Sequence, residues 1–117
     1  MSITAGTDFA LPDLDIQTPG EAAAHLPAEA GEEGLSALMV RALRIHAASL
    51  AGESESRTVS ISLDMTGERF QGGEIRLLSH VDRQTRSIIF MSGTAAGAGP
   101  TLMKATAIFR LSAAGDS

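Results

Sequence analysis

The 117-residue sequence contains no cysteine, no tryptophan and no tyrosine, and it has only four phenylalanines. Without cysteine the chain has no disulfides, no thiol nucleophile and no thiolate ligands for zinc. The scarcity of aromatic side chains argues against stacking platforms for nucleic-acid bases. Basic residues are not in excess either, because the formal net charge is −5 at pH 7, whereas nucleic-acid-binding domains usually present a basic face. We therefore expect no nucleic-acid partner.

Long apolar runs are also absent. No stretch approaches the roughly 20 apolar residues of a membrane span. The N-terminal residues MSITAGTDFALPDLD contain no basic segment followed by an apolar block, so we expect no signal peptide and no membrane partner. Hydrophobic residues nevertheless make up 44% of the chain, which suits a single globular domain with one core. The composition is typical of a cytoplasmic protein.

The N-terminal quarter of the chain gives mixed signals. Residues 1–17 are predicted to form an irregular arm. In residues 18–30, Thr18 and Glu21 have the spacing of a capping box with Pro19 at the first helical position, which predicts a short helix. Pro27 would end such a helix after two turns, and an edge strand over residues 21–26 fits equally well. Local propensity leaves both alternatives open.

Residues 31–52, GEEGLSALMVRALRIHAASLAG, predict a long amphipathic helix. Glu32 and Glu33 complement the helix dipole at its start, and Gly52 is typical of a helix C-terminus. Arg41 falls near the border between the two faces. The predicted buried face recurs in steps of three and four, and it consists of Leu35, Leu38, Met39, Ala42, Leu43, His46, Ser49 and Leu50.

After this helix the hydrophobic period changes from about 3.6 to 2, which predicts strands. The predicted strands are RTVSISLD (57–64), GEIRLLSHV (73–81), RSIIFMSG (86–93) and TLMKATAIFRL (101–111). In the first of them Val59, Ile61 and Leu63 are expected to share one face. The polar segment DRQT (82–85) predicts a hairpin between the second and third strands, and AAGAGP (95–100) predicts the next turn.

The order of these segments resembles that of the hotdog-fold thioesterases, in particular the acyl-CoA thioesterases of the phenylacetate-pathway type. The matching segments are TVSISLDM, FQGGEIRLLSHV, DRQTRSIIFMSG and LMKATAIFRL, and the resemblance covers roughly residues 20–111. It implies an α+β hotdog fold, in which an antiparallel sheet wraps around one long central helix. The domain would span residues 18–112, with a frayed tail over 113–117. The resemblance also favours a strand over residues 21–26.

The same resemblance implies an acyl-CoA thioesterase-like protein that hydrolyses or binds an acyl thioester at a dimer interface. It implies a homodimer or homotetramer, with coenzyme A as part of the substrate and no separate cofactor. Members of the family enter the helix through a His-Gly-Gly loop and carry an acidic residue inside the helix. Here only Gly34 matches that loop, and Arg41 stands near the position of the acid. Because a guanidinium cannot act as a base, the alternative is a catalytically silent hotdog protein that binds an acyl or aromatic ligand or serves as a partner subunit.

Glu33 is the candidate general base, with Glu32 beside it, because these are the carboxylates at the predicted helix entrance. Dipole complementarity alone would also explain them. The resemblance also suggests that basic and glycine-rich segments bind the phosphates of coenzyme A. The candidate residues are Gly72, Gly73, Arg83 and Arg86. The alternative is that these residues simply form solvated turns.

The three histidines do not predict a metal site. His25 and His80 are isolated in the sequence and have no metal-ligand spacing, so no metal is expected. His46 lies on the apolar face of the predicted helix. This position favours a hydrogen-bonded histidine of the core or of a dimer interface over a catalytic histidine.

Overall fold

The computed structural model describes residues 11–113 of the chain. Residues 1–10 of the predicted arm and residues 114–117 of the predicted tail lie outside the described residues. The elements, in chain order, are β1 (Asp15–Thr18), β2 (Glu21–Leu26), a 3-10 turn (Ala28–Ala30), α1 (Gly31–Ala51), β3 (Glu55–Met65), β4 (Gly73–Gln84), β5 (Ile88–Ala96) and β6 (Thr101–Ser112).

The six strands form one sheet in the order β1-β2-β4-β5-β6-β3, and every pair of neighbours is antiparallel. The helix α1 lies across one face of this sheet and contacts β3, β4, β5 and β6. The buried apolar side chains of α1 and of that sheet face form a single core. This arrangement confirms the predicted α+β architecture of one long helix in an antiparallel sheet.

The helix α1 begins and ends close to its predicted bounds. It runs from Gly31 to Ala51 and stops before Gly52, as the sequence predicts. In the described residues no helix is long and apolar enough to cross a membrane. The predicted apolar face of α1 is buried at Leu35, Leu38, Met39, Ala42 and Leu43. It is wrong near the end of the helix, where Ala47, outside the predicted face, is buried and Ser49, within it, is exposed.

A glycine in β5 allows the helix to lie close to the sheet. A Cβ atom on Gly93 would stand 2.7 Å from Cε of Met39 and 3.0 Å from the backbone oxygen of Leu78. A side chain at this position would require the terminal methyl of Met39 to move and would crowd the backbone of β4 at Leu78. Gly93 therefore leaves room for the Met39 side chain between α1 and β5.

The N-terminal strands resolve the ambiguous part of the sequence. Residues 21–26 form the strand β2, which pairs with β4 from Glu21–Leu78 to Leu26–Gly73. The strand alternative is therefore the correct one. Residues 15–17, predicted as irregular arm, also belong to a strand, because β1 pairs with β2 at the edge of the sheet.

The predicted face of β3 is wrong at its first apolar position. Thr58 pairs with Phe109, and Ser60 pairs with Ile108, so Val59 is an extra residue in a β-bulge. The bulge shifts the alternation by one residue. Thr58 consequently lies on the helix side with Ile61 and Leu63, while Val59 is 59% exposed.

The predicted hairpin between the second and third long strands is confirmed as β4 and β5. The strand β4 ends three residues later than predicted and β5 begins two residues later, so the connection spans residues 85–87 rather than 82–85. At its other end β5 continues to Ala96. A second bulge lies between Val81 and Arg83. There the carboxylate of Asp82 accepts a hydrogen bond from Ser92 and lies 3.1 Å from Nε2 of His80, on the sheet face away from the helix.

Candidate functional site

A cleft lies at the N-terminal end of α1, where the sequence predicts the catalytic carboxylates. Its volume is about 290 Å³, and we call it the helix-entrance cleft. Glu32 and Glu33 are both exposed, and of the two only Glu32 is part of the lining of this cleft. The full lining is Gly31, Glu32, Leu35, Met65, Gly67, Glu68, Arg69, Phe70 and Leu102. Of the two candidate bases, Glu32 is thus the one that lines the helix-entrance cleft.

A second cavity of about 270 Å³ adjoins the helix-entrance cleft and shares Arg69, Phe70 and Leu102 with it. It lies between the loop that precedes β4 and the glycine-rich turn between β5 and β6. Gly72 lines this cavity, as do Gly97 and Gly99 of the turn. Gly72 has φ of +90°, and a Cβ atom there would stand 3.0 Å from the amide nitrogen of Ala28, so glycine is required by both backbone and packing.

The predicted coenzyme A-binding residues do not come together within the chain. Gly73 begins β4 and Arg83 lies ten residues further along the same strand, so at 3.3 Å per residue they are roughly 30 Å apart. Arg86 lies in the β4–β5 connection at that far end. The basic side chain that stands beside Gly72 is Arg69, in the loop before β4. The sequence does not predict Arg69 as a binding residue. The signal that could have identified it is its position in the segment ERFQGG, three residues before Gly72.

Arg41 lines a different cavity from the predicted base. Together with Arg44 it faces a groove of about 830 Å³ between α1, β3 and β6. The guanidinium of Arg41 donates a hydrogen bond of 3.3 Å to the backbone oxygen of Pro12. Arg41, which stands near the position where the resemblance implies an acid, thus contacts the segment that precedes β1.

His46 is a hydrogen-bonded histidine at the edge of the core, as the sequence predicts. Its Nδ1 atom and the hydroxyl oxygen of Ser79 on β4 are 2.7 Å apart. Gly20, in the turn between β1 and β2, covers the ring closely, because a Cβ atom there would lie 3.1 Å from Cε1 of His46. Burial, and after it the charge of His80, lowers the pKa of His46 below 6.5.

This lowered pKa predicts that the protein loses stability in mild acid. Above about pH 6.5 His46 is neutral in both the folded and the unfolded chain and has no effect. Below that pH the unfolded chain takes up a proton more readily than the folded one, so the free energy of unfolding falls until the pH passes the folded-state pKa. Urea unfolding at pH 7.5 and pH 5 should show this loss, and His46→Gln should reduce it.

His25 provides the matched control for that measurement, because it is exposed on β2. The difference in unfolding free energy between the two pH values should be the same in His25→Gln as in the unmodified chain. A His46→Gln variant that keeps the full pH dependence would show that other groups cause it.

The described residues contain no candidate metal centre. Within residues 11–113, no three side chains of the types His, Cys, Asp and Glu are arranged to hold a metal ion. His25 and His80 lie on different strands, β2 and β4, and His80 is paired with Asp82.

No protein-family model matches the sequence, and no curated protein matches it significantly. Solved structures do match. A phenylacetic acid degradation-related protein from Ralstonia eutropha superposes with a TM-score of 0.69 at 18% identity, over 94% of this chain and 90% of that one. A hypothetical thioesterase protein from Streptococcus pneumoniae, solved with coenzyme A, gives a TM-score of 0.72 at 13% identity, over 90% and 91% of the two chains.

A thioesterase family protein from Silicibacter pomeroyi gives a TM-score of 0.68 at 17% identity, over 86% of this chain and 84% of that one. At these identities the similarity concerns the fold. It extends over nearly all of each chain and agrees with the strand order and the central helix described above. The chain has the hotdog fold that is shared by these thioesterase-type proteins.

Proposed function

We propose that the protein binds an acyl thioester of coenzyme A at the helix-entrance cleft and hydrolyses it, with Glu32 as general base. The observation that carries this proposal is the position of Glu32, which lines the cleft in the first turn of α1. The backbone N–H groups of that first turn have no partners within the helix, and they favour negative charge on a nearby oxygen. The N–H of Gly31 is taken by the backbone oxygen of Ala28, so the donors that we propose for the site are those of the following residues in the first turn.

The reaction that these groups support is attack of water on the thioester carbonyl. The carboxylate of Glu32 takes a proton from the water as its oxygen bonds to the carbonyl carbon. The helix N–H groups stabilise the negative oxygen that forms. The carbon–sulfur bond then breaks, and the leaving sulfur of coenzyme A takes the proton that Glu32 holds, which restores the carboxylate. The products are a free carboxylic acid and coenzyme A.

The surrounding residues support a small acyl group and a phosphate-bearing carrier. Leu35, Phe70 and Leu102 give the cleft apolar walls, and its 290 Å³ is at the lower end of the volumes of ligand pockets. Arg69 lies between the two adjoining cavities and is the cation placed to meet a phosphate of the carrier. Arg69 therefore takes the phosphate-binding role that the sequence assigns to Arg83, because Gly72 and Arg83 are too far apart within one chain to form one site.

The test is a screen of short aliphatic and aromatic acyl-CoA thioesters with a thiol-detecting dye. Because the chain has no cysteine, the dye reports only released coenzyme A. We expect Glu32→Gln to lower the rate of hydrolysis about 100-fold, as is typical for loss of a general base. Glu33→Gln removes the same charge one residue away, outside the lining of the cleft, and should retain activity.

If Glu33→Gln abolishes hydrolysis and Glu32→Gln does not, the assignment of the base is wrong.

The second candidate function is a catalytically silent protein that binds an acyl or aromatic ligand. One observation favours it: Arg41 occupies the middle of α1 and lines a groove without any carboxylate among its lining residues. A wild-type chain that releases no coenzyme A, together with gain of release in Arg41→Asp, would support this silent alternative.

We further propose that the working unit is a homodimer formed through β3. This strand has 11 residues and pairs only with β6 in the described part of the chain, so one row of its backbone groups is open to a second copy. Val59 stands 59% exposed in the same strand. Association of two β3 strands would cover that side chain and would also cover the neighbouring groove.

A further inference from the structure

The edge strand β3 carries charges of opposite sign toward its two ends. Arg57 lies near its start and Asp64 near its end, and both side chains are exposed. They share the sheet face away from the helix, because they pair with the exposed residues Arg110 and Lys104 of β6. The two ion pairs within residues 11–113 include neither Arg57 nor Asp64.

Arg57 has an unfavourable neighbour within its own chain. Its direct partner on β6 is Arg110, and like charges directly opposite each other destabilise a sheet. On its other side, β3 has no neighbouring strand in the described part of the chain. A carboxylate at that position, on a strand added to the open edge, would offset the repulsion.

Only some registers are possible when two β3 strands pair antiparallel about a twofold axis. Directly opposed residues lie on the same face of the sheet, and a shift by one residue would move every side chain to the other face. Ile61 and Leu63 pack against the core on the helix side, whereas Asp64 lies on the opposite side. The bulge at Val59 shifts the alternation, so Arg57 shares a face with Asp64 although they are an odd number of residues apart.

The register centred on Ile61 matches the faces and also pairs the two charges. Ile61 then lies opposite Ile61 of the partner subunit. Counting outward from this pair, the extra residue Val59 is passed over. Arg57 therefore lies opposite Asp64 of the partner subunit, and not opposite the partner subunit's Met65, which is on the helix side. The remaining direct pairs are Ser60 with Ser62 of the partner subunit, Thr58 with Leu63 of the partner subunit, and Ser56 with Met65 of the partner subunit.

The neighbouring registers that match the faces do not pair the charges. When the pairing is centred on Ser60, Asp64 lies opposite Glu55 of the partner subunit, and these two like charges repel. When it is centred on Ser62, Arg57 lies opposite an uncharged residue. The charges and the bulge together therefore favour one register out of three.

We propose that β3 of a second copy pairs antiparallel with this β3 in the register centred on Ile61, held by two symmetry-related ion pairs between Arg57 and Asp64 of the partner subunit. This inference rests on the homodimer proposed above and specifies how its two copies recognise each other. In this register Met65, which lines the helix-entrance cleft, lies opposite Ser56 of the partner subunit. The second copy thus borders the cleft.

Single cysteine substitutions test the register directly, because the chain contains no cysteine of its own. Direct partners have Cβ atoms about 4.5–5.5 Å apart, whereas diagonal neighbours are about 7–8 Å apart, beyond the usual span of a disulfide. Ile61→Cys should therefore form a cross-linked dimer under mild oxidation. Ser60→Cys and Ser62→Cys, the centres of the two alternative registers, should give less than about a tenth of that yield. Non-reducing gel electrophoresis would measure it.

Charge reversal tests the ion pairs. Arg57→Asp and Asp64→Arg each replace two attractive pairs by two repulsive ones, so each should raise the dissociation constant of the dimer about 30-fold. The double variant restores opposite charges and should return to within about threefold of the wild type. Arg83→Asp is the control, since Arg83 is exposed on β4 and separated from β3 by β5 and β6.

Stronger cross-linking through Ser60→Cys or Ser62→Cys would overturn this register, and so would a dimer that neither charge reversal weakens. In both cases the homodimer itself would stand. A wild-type chain that is monomeric at every concentration would overturn the register and the homodimer together. Hydrolysis is followed separately through released coenzyme A, so failure of the register and failure of the proposed catalytic function are distinguishable.

Discussion

Replacing Leu38 by alanine should lower the free energy of unfolding by about 2–5 kcal/mol, the range measured for truncation of fully buried leucines. The Leu38 side chain has no exposed surface. It lies on the face of α1 that packs against the sheet, in one core cluster with residues of β2, β4, β5 and β6. Because the other strands hold this cluster in place, the structure can close the cavity only in part. Urea unfolding followed by circular dichroism would measure the loss.

Val40→Ala is the matched control for this variant. Val40 lies on the same helix but is only half-buried, at the groove between α1, β3 and β6. Alanine also has the higher helix propensity, which offsets part of the lost contact. We expect a change of less than about 1 kcal/mol in the control. Equal losses in the two variants would show that the helix is not buried in the sheet on the face described here.

Replacing Val59 by lysine should convert the proposed homodimer into monomers. Val59 is the bulged and exposed residue of β3, the strand proposed to pair with a second copy. A symmetric interface would bring two lysines into it, and a charge without a partner in an interface destabilises it by several kcal/mol. We expect the dissociation constant of the dimer to rise about 10³-fold, which corresponds to about 4 kcal/mol. Light scattering over a concentration series would measure it.

Leu78→Lys introduces the same charge at another exposed apolar residue. Leu78 is 46% exposed, on β4 in the interior of the sheet and on the face away from the helix. This control should leave the β3-mediated dimer intact. A wild-type chain that is monomeric at every concentration, or a Leu78→Lys variant that dissociates as fully as Val59→Lys, would contradict the proposed interface.

The sequence was sufficient to predict the helix and most strand faces, because burial of one side of an element makes apolar side chains recur with a regular period. Ile75 and Leu77 of β4 are buried where the alternation places them. The bulge at Val59 could not be predicted, since an unbulged strand fits RTVSISLD equally well and only the pairing with β6 decides. The strand β1 has four residues, all exposed, and therefore leaves no apolar pattern.

The candidate site was predictable only as a region. Glu32 and Glu33 are neighbours in the sequence, but successive helical residues point about 100° apart. Which of them faces a cleft depends on how the loop before β4 packs over the helix start, and that loop has no periodic pattern. Arg69 was missed for the same reason. The sequence shows Arg41 near the position where the resemblance implies an acid, but it does not predict the groove that Arg41 lines.

The two edges of the sheet differ in a way that limits how far copies of this chain can stack. In the described residues one edge is β3, with 11 residues, and the other is β1, with four residues and a register shift between Ile16 and Thr18. Joining long edge to long edge buries both reactive edges and leaves only the two short ones outside. Continued addition of sheets, as in a fibril, would need β1 to offer a second long template. The unequal edges therefore favour a closed pair over a growing polymer.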